Sequence, residues 1–394
     1  MKAPLAIVIG RNFTSRIGMI RAAGDAGCDV VVIQTYSYKK RFHDPDYYSK
    51  FVYEYRLSQD YNPQQLLDLL RQYKNIDRKT ILLPTDDFSL SVIDEHLEEL
   101  EKDFLCTNIN HTQGEIIRKM NKDLQKELAK KVGLNVAEGW ISKKQNGVYE
   151  IPEGIKYPCF TKPQETACGH LKTFLLPCYS EKELKERLSV IANKYNNPIL
   201  IEEYHKINKE YTVLGLSLDG RAIIPGIVTK IETWYGMTTT GSVSPLSKNP
   251  ELLSKLENFM KEIGLTGLFD IELYESNGKL YFNEHNLRAS SIAFALTYKG
   301  INLPALLIQY LMGSDVDLNA VPKTFDTYIC GSEAAMRYMY KENIISFFKY
   351  KGLINSADIR SLKFKDDNKP AKMFAIEDLM MPLRKLRHFF HLYL

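Results

Sequence analysis

The sequence lacks several features that define other classes of protein. No apolar run approaches the ~18 residues that are needed to span a bilayer. The opening MKAPLAIVIG passes directly into a strand pattern, so we expect no cleaved signal peptide and a cytoplasmic protein. The six cysteines lie far apart without a CxxC pair, which argues against a zinc ribbon or a disulfide framework. Internal repeats and low-complexity tracts are also missing.

What is present is typical of a globular protein of more than one domain. The chain has 394 residues, of which 44% are hydrophobic and 25% charged. This length exceeds what one hydrophobic core usually supports, so we expect two or three domains. The formal net charge of +4 comes from basic residues spread along the chain, which gives no argument for nucleic-acid binding.

The first hundred residues predict a parallel sheet. Residues 5–10 (LAIVIG) and 29–34 (DVVVIQ) are apolar runs separated by a helical pattern, which is a βαβ unit. Gly10 and Gly18 form no GxGxxG fingerprint, so dinucleotide binding is weakly supported. Asp86 and Asp87 follow a later strand at the sheet edge where ligands bind, and they either contact a substrate or cap the next helix.

The middle of the chain brings lysines and a polar loop together. Residues 115–132 predict one lysine-rich helix that ends at Gly133. Residues 157–163 (YPCFTKP) form a short strand-like run with Lys162 near its end. The following segment, 164–170 (QETACGH), is small and polar and could fold over a phosphate. The alternative is that Lys162 extends its ammonium group into solvent, as lysines at strand ends usually do.

Residues 267–290 (GLFDIELYESNGKLYFNEHNLRAS) predict two adjacent strands that present oxygen ligands. Hydrophobic and polar residues alternate on both sides of a turn. Side chains two apart on a strand share a face, so Glu284 and Asn286 project together. Two carboxylates and an amide suit a hard cation shared with phosphates, which favours magnesium over zinc.

Whether Asp270 joins that face depends on the turn. A two-residue loop at 277–278 would set Asp270 opposite His285, on the wrong face. A three-residue loop at 276–278, with Gly278 in the left-handed region, would set Asp270 opposite Glu284. We therefore predict the odd-length loop, or else a bulge, for Asp270 to meet Glu284.

Two further segments allow more than one interpretation. Residues 234–244 (WYGMTTTGSVS) have the composition of a flexible surface loop, either an active-site flap or a passive linker. Residues 380–394 (MMPLRKLRHFFHLYL) mix basic and aromatic side chains. Such a terminus either docks an amphipathic helix on its own domain, which we favour, or lies on a membrane surface or an acidic partner.

The order of these features resembles the ATP-grasp superfamily of carboxylate–amine ligases. The resemblance covers approximately residues 5–312, and the D…ExNxR pattern of Asp270, Glu284, Asn286 and Arg288 is its specific part. It implies a parallel-sheet α/β domain, a two-subdomain fold that holds the nucleotide between two antiparallel sheets, and a C-terminal extension. The implied fold class is therefore α/β and α+β. The expected divisions are 1–112, 113–200, 201–323 and 324–394.

The resemblance also implies roles for single residues. Lys122, with Lys119 as a rival, and Lys162 resemble the two lysines that contact the phosphates of ATP. Glu202, Glu203 and His205 match the hinge that holds the adenine, and Glu210 matches the residue that accepts the ribose hydroxyls. The implied ligands of two magnesium ions, with manganese as an alternative, are Asp270, Glu284 and Asn286. Arg288 and Lys230 would face the transferred phosphate or the substrate.

The implied reaction is ATP-dependent formation of an amide. ATP phosphorylates a carboxylate to an acyl phosphate, and an amine, which we expect to be an amino acid, then displaces the phosphate. The layout IVIGRNFTSRIGMIRAAGDAGCDVVV, then LLPTDD, is most similar to the D-aspartate ligase branch, which acts on cell-wall precursors. The alternatives are a carboxylase of the same fold that uses bicarbonate and a nucleotide-binding module without catalysis. Small-molecule partners are expected and nucleic acid is not.

Overall fold

The first part of the chain forms a parallel sheet with helices on its faces. The computed structural model describes residues 2–36, 44–59, 61–74, 77–163, 176–234 and 236–378. The strand order is β3-β2-β1-β4, and every pairing is parallel, as the βαβ pattern predicts. The elements are β1 (Leu5–Gly10), α1 (Phe13–Asp25), β2 (Asp29–Tyr36), β3 (Val52–Gln59), α2 (Pro63–Arg71), β4 (Thr80–Pro84), α3 (Asp87–Glu95) and α4 (Leu97–Leu100).

A short connecting region follows. Its elements are β5 (Asn108–Ile109), α5 (Glu115–Lys119), α6 (Lys122–Lys131) and β6 (Asn135–Val136). The prediction of one helix over 115–132 is wrong, because the side chain of Asn121 caps a new helix there. Its Oδ1 accepts hydrogen bonds from the backbone N–H groups of Asp123 and Leu124. An asparagine at this position satisfies N–H groups that would otherwise lack a partner.

A small antiparallel sheet comes next, in the order β10-β11-β7, with a separate hairpin of β8 and β9. Its elements are β7 (Gly139–Ser142), β8 (Lys144–Gln145), β9 (Val148–Tyr149), β10 (Cys159–Pro163), α7 (Glu181–Ala192) and β11 (Ile199–Glu203). Leu184, Leu188 and Ile191 recur at helical spacing on α7 and pack against Ile199 and Ile201 of β11.

The largest sheet is built from long antiparallel strands. Its consecutive elements are β12 (Lys209–Leu218), β13 (Arg221–Trp234), β14 (Met237–Pro245), α8 (Pro250–Ile263), β15 (Leu265–Ser276) and β16 (Lys279–Asn286). The predicted surface loop over 234–244 is wrong, because most of this segment belongs to β14. The threonines at 238–240 are buried there, and β-branched residues of this kind suit a strand.

The remaining elements extend this sheet and join it to the first one. They are α9 (Phe294–Thr297), α10 (Leu303–Leu311), β17 (Tyr328–Gly331), α11 (Glu333–Lys341), α12 (Phe347–Ser356) and β18 (Ile359–Arg360). The order of the large sheet is β18-β17-β14-β13-β12-β15-β16-β6. Helix α1 packs on α9 and α10. One hydrophobic core includes Val8 of the parallel sheet, Phe294 of α9 and Leu214 of the large sheet. The parallel sheet and the large sheet therefore share one hydrophobic core.

Two sequence expectations concern the surface and the cysteines. Within the described ranges, no helix is both long enough and apolar enough to cross a membrane. Five cysteines are described, and all five are free and buried. Residues 380–394, where the sequence predicts a basic and aromatic terminus, lie outside the described residues.

Candidate active site

The β15–β16 hairpin carries the predicted oxygen ligands, but its geometry differs from the prediction. The turn has two residues, Asn277 and Gly278, and both have positive φ angles, 50° and 73°. This is the conformation that an Asn-Gly pair favours in a two-residue hairpin. The predicted three-residue loop is therefore wrong.

A bulge in β16 restores the expected face. Leu273 pairs with Phe282, whereas Glu272 pairs with Glu284, so Asn283 is an extra residue in β16. Beyond this bulge, Asp270 lies opposite Asn286 and not opposite Glu284 as predicted. The predicted set of Asp270, Glu284 and Asn286 nevertheless shares one face, and Glu272 joins it.

Glu272 is the residue of this face that sequence reasoning missed. It lies two residues from Asp270 on one strand, and that spacing was the available signal. Burial, followed by the neighbouring Glu284, raises the pKa of Glu272 to about 8, against the effect of Lys230. Burial also raises the pKa of Asp270 to about 6, although Arg288 and Asn286 oppose this. Each ionised carboxylate makes ionisation of its neighbours less favourable, because their negative charges repel. A bound cation would reduce this repulsion.

The donor set fits magnesium shared with phosphates better than a cation held by protein alone. Among the described residues, no group of three or more His, Cys, Asp or Glu side chains could hold a metal ion. Magnesium is typically bound through one or two carboxylates together with phosphate oxygens. Asp270 Oδ1 accepts a 2.8 Å hydrogen bond from Asn286 Nδ2, which fixes the amide so that its oxygen can act as a ligand.

Lys230 connects this face to the predicted ribose residue. The Lys230 ammonium lies 3.3 Å from Glu272 Oε2 and 3.7 Å from Glu210 Oε1, and it donates to the carbonyl of Gly236 at 3.0 Å. Its side chain is only 2% exposed. The lysine therefore lies between two carboxylates on the acidic face.

The predicted phosphate lysines gather between α6 and the small sheet. Lys162, on β10, lies 2.7 Å from Glu202 Oε2, and the other oxygen of Glu202 pairs with Lys126 of α6. Lys122, four residues before Lys126, donates to the carbonyl of Pro163 at 3.4 Å. Lys119 is directed away, since its ammonium donates to the carbonyl of Glu262. Lys126 is a further residue that sequence reasoning did not single out.

The charge of the acidic hairpin also acts on Lys162. Burial lowers the pKa of Lys162 well below its usual range, and the charges of Lys126 and Lys122 lower it further. The Glu284 carboxylate of the other sheet opposes this effect. A cation of the small sheet is thus within electrostatic range of a carboxylate of the large sheet.

The predicted hinge is built around aromatic rings. His205 Nδ1 is 2.9 Å from the Tyr274 hydroxyl, and its ring centroid is 4.5 Å from that of Tyr281. Tyr274 and Tyr281 stack at 5.3 Å with an interplanar angle of 10°. Glu203 Oε2 lies 3.5 Å from His205 Nε2. Glu202, which the resemblance also places in the hinge, instead turns its side chain toward the lysines.

Arg288 connects the hairpin to the parallel sheet. Its Nε donates to Asp87 Oδ1 at 2.6 Å. Burial acts to lower the pKa of Arg288, but Asp87 and Asp270 outweigh it and raise that pKa above its usual range. Asp86 accepts a hydrogen bond from the backbone N–H of Ser89, so it is the residue that caps α3. The predicted phosphate loop at 164–170 lies outside the described residues.

Comparisons with known proteins identify the family of this domain. Residues 127–291 match the family model of the ATP-grasp domain. The formate-dependent phosphoribosylglycinamide formyltransferase of Sulfolobus acidocaldarius is 28% identical over 179 residues, which cover 41% of this chain and 43% of that protein. The carbamoyl phosphate synthase large chain of Methanosarcina barkeri is 26% identical over 192 residues, which cover 46% and 47%. The chain thus spans less than half the length of these two relatives.

Solved structures share the fold over most of the chain. An L-amino acid ligase from Bacillus licheniformis superposes with a TM-score of 0.61 at 15% identity, covering 83% of this chain and 79% of that one. The N5-carboxyaminoimidazole synthetase of Staphylococcus aureus has a TM-score of 0.59 at 16% identity and covers 97% of both chains. Identities this low show a common fold only.

These observations define a protein with an ATP-grasp domain behind a parallel α/β sheet. The chain contains an ATP-grasp domain, and the predicted resemblance to the ATP-grasp superfamily is confirmed for this domain and for the fold. Members of this superfamily bind ATP with magnesium, and a 2-oxoglutarate carboxylase structure of the same fold contains MgADP. The roles of single residues stay predictions.

Proposed function

We propose that the chain is an ATP-dependent ligase that joins a carboxylate to an amine through an acyl phosphate. The observation that carries this proposal is that Lys122 lies on α6 and Lys162 of the small sheet lies beside it, while α6 is hydrogen-bonded to the large sheet. Gln125 of α6 bonds the main chain of His285, between Glu284 and Asn286. A triphosphate between these sheets would meet lysines on one side and magnesium ligands on the other. Charge of both signs around transferring phosphate is what phosphoryl transfer needs.

The nucleotide contacts follow from this arrangement. Lys122 and Lys162 would contact the phosphates, and the backbone at Glu203 with the His205 ring would receive the adenine. Glu210, held near Lys230, would accept the ribose hydroxyls. Point charges on flexible stems suit phosphate, and aromatic rings suit a base.

The metal ligands are refined relative to the sequence. Glu284, Asn286 and Glu272 would hold magnesium, with Asp270 positioning the Asn286 amide. Two ions are expected, with manganese as an alternative, and when bound they would neutralise charge on the phosphates. Arg288 and Lys230 would stabilise the charge that develops on the transferred phosphoryl group.

The reaction would proceed in two steps. A carboxylate oxygen of the substrate attacks the terminal phosphorus of ATP, the bond to the bridging oxygen breaks, and ADP leaves. The amine nitrogen then attacks the acyl carbon, phosphate departs, and the amine loses a proton. We propose that the amine is an amino acid. The other substrate is proposed to be a cell-wall precursor of the type on which the D-aspartate ligase branch acts.

A one-carbon carboxylate is the second candidate for the phosphorylated substrate. It is favoured by the relative of 28% identity, whose name specifies dependence on formate. Formate or bicarbonate would take the place of the larger carboxylate, and the residues assigned above would keep their roles.

Isotope transfer tests the proposal. The protein is incubated with ATP, magnesium, a panel of amines and ¹⁸O-labelled carboxylates that include formate and bicarbonate, and ADP and phosphate are analysed. We expect ADP release that depends on one amine–carboxylate pair, with one ¹⁸O atom transferred to phosphate. Unlabelled phosphate would contradict the acyl phosphate. ATP binding without ADP release under every pair would instead support a nucleotide-binding module.

A further inference from the structure

Lys126 neutralises a buried carboxylate beside the proposed phosphate site. It occupies α6 four residues after Lys122, so the two side chains lie on one face of the helix. The residue is 7% exposed, and its ammonium donates to the carbonyl of Ala137 at 3.3 Å. A lysine in this environment needs a counter-ion, because an unpaired buried charge is costly.

Glu202 is that counter-ion, and it is shared. Its residue is 2% exposed, one carboxylate oxygen pairs with Lys126, and the other lies 2.7 Å from Lys162. Two lysine side chains thus share one carboxylate in this cluster. Glu202 is held in place by β11, which pairs with β10 on one side and β7 on the other.

Removal of Lys126 would change what Lys162 can do. Glu202 would then have Lys162 as its single ammonium partner in the cluster. Because a buried carboxylate without a partner is strongly disfavoured, Lys162 would have to stay with it. A phosphate group would then have to compete with Glu202 for the same ammonium.

We infer that Lys126 is a positioning residue that keeps Glu202 neutralised, so that Lys162 is available to the phosphates of the nucleotide. This rests on the proposed function, because it assumes that ATP binds beside Lys162. Lys126 acts through Glu202 and touches neither the nucleotide nor the reacting atoms. The pairing also explains why Glu202, placed in the hinge by the sequence pattern, turns its carboxylate away from the aromatic rings.

A set of charge variants tests this inference. Lys126→Met removes the charge, Lys126→Arg keeps it, and Lys126→Met with Glu202→Gln removes both partners. Lys130→Met is the matched control, because Lys130 is exposed on the same helix. Binding of ATP, ADP and adenosine is measured by calorimetry with magnesium, and thermal unfolding is followed for each variant.

We expect Lys126→Met to weaken ATP and ADP binding about tenfold or more. The loss of one charge-assisted contact between Lys162 and phosphate corresponds to a change of this size in affinity. Adenosine binding should stay unchanged, because adenosine carries no phosphate. The double variant should regain most of the ATP affinity, because the neutral amide that replaces the Glu202 carboxylate no longer holds Lys162. Lys126→Arg and Lys130→Met should bind ATP like the wild type.

Different results would separate the possible failures. A Lys126→Met variant that weakens ATP but is not rescued by Glu202→Gln would show that Lys126 itself contacts phosphate, and this overturns the inference. Equal ATP affinity in Lys126→Met and wild type would also overturn it and leave the proposed function standing. Absence of ATP binding in the wild type would overturn both. Loss of adenosine binding together with ATP would point to a general structural defect and contradict the inference.

Discussion

Gln125 makes two hydrogen bonds to the main chain of His285. Its Nε2 donates to the His285 carbonyl at 2.9 Å, and its Oε1 accepts from the His285 N–H at 3.0 Å. His285 lies between the proposed metal ligands Glu284 and Asn286, whereas Gln125 lies on α6, the helix that carries the proposed phosphate lysine Lys122. One side chain therefore fixes the distance between the two halves of the proposed ATP site.

Replacement of Gln125 should affect both stability and nucleotide binding. Gln125→Ala would leave a buried N–H and a buried carbonyl of His285 without partners, at a cost of about 2–4 kcal/mol of unfolding free energy. ATP binding should weaken as well, because α6 loses two hydrogen bonds that position it against β16. Urea denaturation and calorimetry measure the two effects.

Glu127→Ala is the control for this change, because Glu127 is exposed on the same helix. It should leave both quantities close to wild type. If Gln125→Ala matched Glu127→Ala in stability, the two hydrogen bonds would contribute nothing measurable to the fold.

The acidic hairpin face should control turnover. Glu272→Gln and Glu284→Gln each remove a charge from the proposed metal site, and we expect kcat to fall by about 10²–10³. The fold should persist, because removing one of several neighbouring carboxylates relieves repulsion. ADP release is measured against magnesium concentration, and circular dichroism reports the fold.

The same substitution at Glu251 provides the comparison. Glu251 is exposed on α8, so Glu251→Gln should turn over like the wild type. Wild-type turnover in Glu284→Gln would remove that residue from the metal set. If kcat fell in Glu284→Gln but not in Glu272→Gln, only Glu272 would be removed from the proposed set of metal ligands.

The sequence predicted the acidic face but could not predict how the chain builds it. Alternation along residues 267–290 placed Glu284 and Asn286 together, and the structure does the same. The Asn277-Gly278 pair indicates a two-residue turn. With such a turn, Asp270 shares a face with Glu284 only if one strand contains an extra residue, and the local sequence does not mark where that residue lies. Asn283 is bulged because the two strands must present one polar face, which is a tertiary requirement.

The lysine–glutamate cluster shows a different limit of sequence reasoning. Lys126 lies in KDLQKELAKK, where charged residues are frequent and most are exposed. Its ammonium is enclosed by groups from other parts of the chain, among them the Ala137 carbonyl and the Glu202 carboxylate of the small sheet. The family pattern predicts where Glu202 lies along the chain, and on that basis Glu202 was placed in the hinge. The direction of its side chain depends on which cations lie nearby, and the pattern does not predict them.

The pair of Asp87 and Arg288 should couple the parallel sheet to the proposed transfer step. Both side chains are about four-fifths buried and their atoms lie 2.6 Å apart. Asp87→Asn should lower unfolding stability by about 1–3 kcal/mol and reduce kcat, because Arg288 loses the anion that orients it. Arg288→Met should reduce kcat more strongly.

A double-mutant cycle measures this coupling. Stability and kcat are determined for Asp87→Asn, Arg288→Met and the double variant. We expect the effects on stability to be non-additive by about 1 kcal/mol or more. Additive effects would show that the contact does not couple the two sheets. Asp25→Asn, at an exposed position at the end of α1, is the control and should leave kcat unchanged.

The C-terminal region should depend on one buried ion pair. Arg21 of α1 is fully buried, and its Nε donates to Asp367 Oδ2 at 2.8 Å. Its other nitrogens donate to the carbonyls of Ser361, Leu362 and Asp367. Asp367→Asn would leave the guanidinium without its carboxylate, and breaking a buried pair of this kind costs about 3–5 kcal/mol.

Asp366→Asn gives a matched comparison at the neighbouring position. Asp366 is exposed and has a φ angle of 58°, a conformation that asparagine also adopts readily. Urea denaturation should therefore separate the two variants by several kcal/mol, and limited proteolysis should cleave residues 324–378 faster in Asp367→Asn. Equal stability would mean that the carbonyl groups and the Tyr298 hydroxyl can hold Arg21 without the Asp367 carboxylate. Faster proteolysis without a change in global stability would instead show that the pair stabilises the C-terminal region locally, because local opening can occur at a lower free energy than global unfolding.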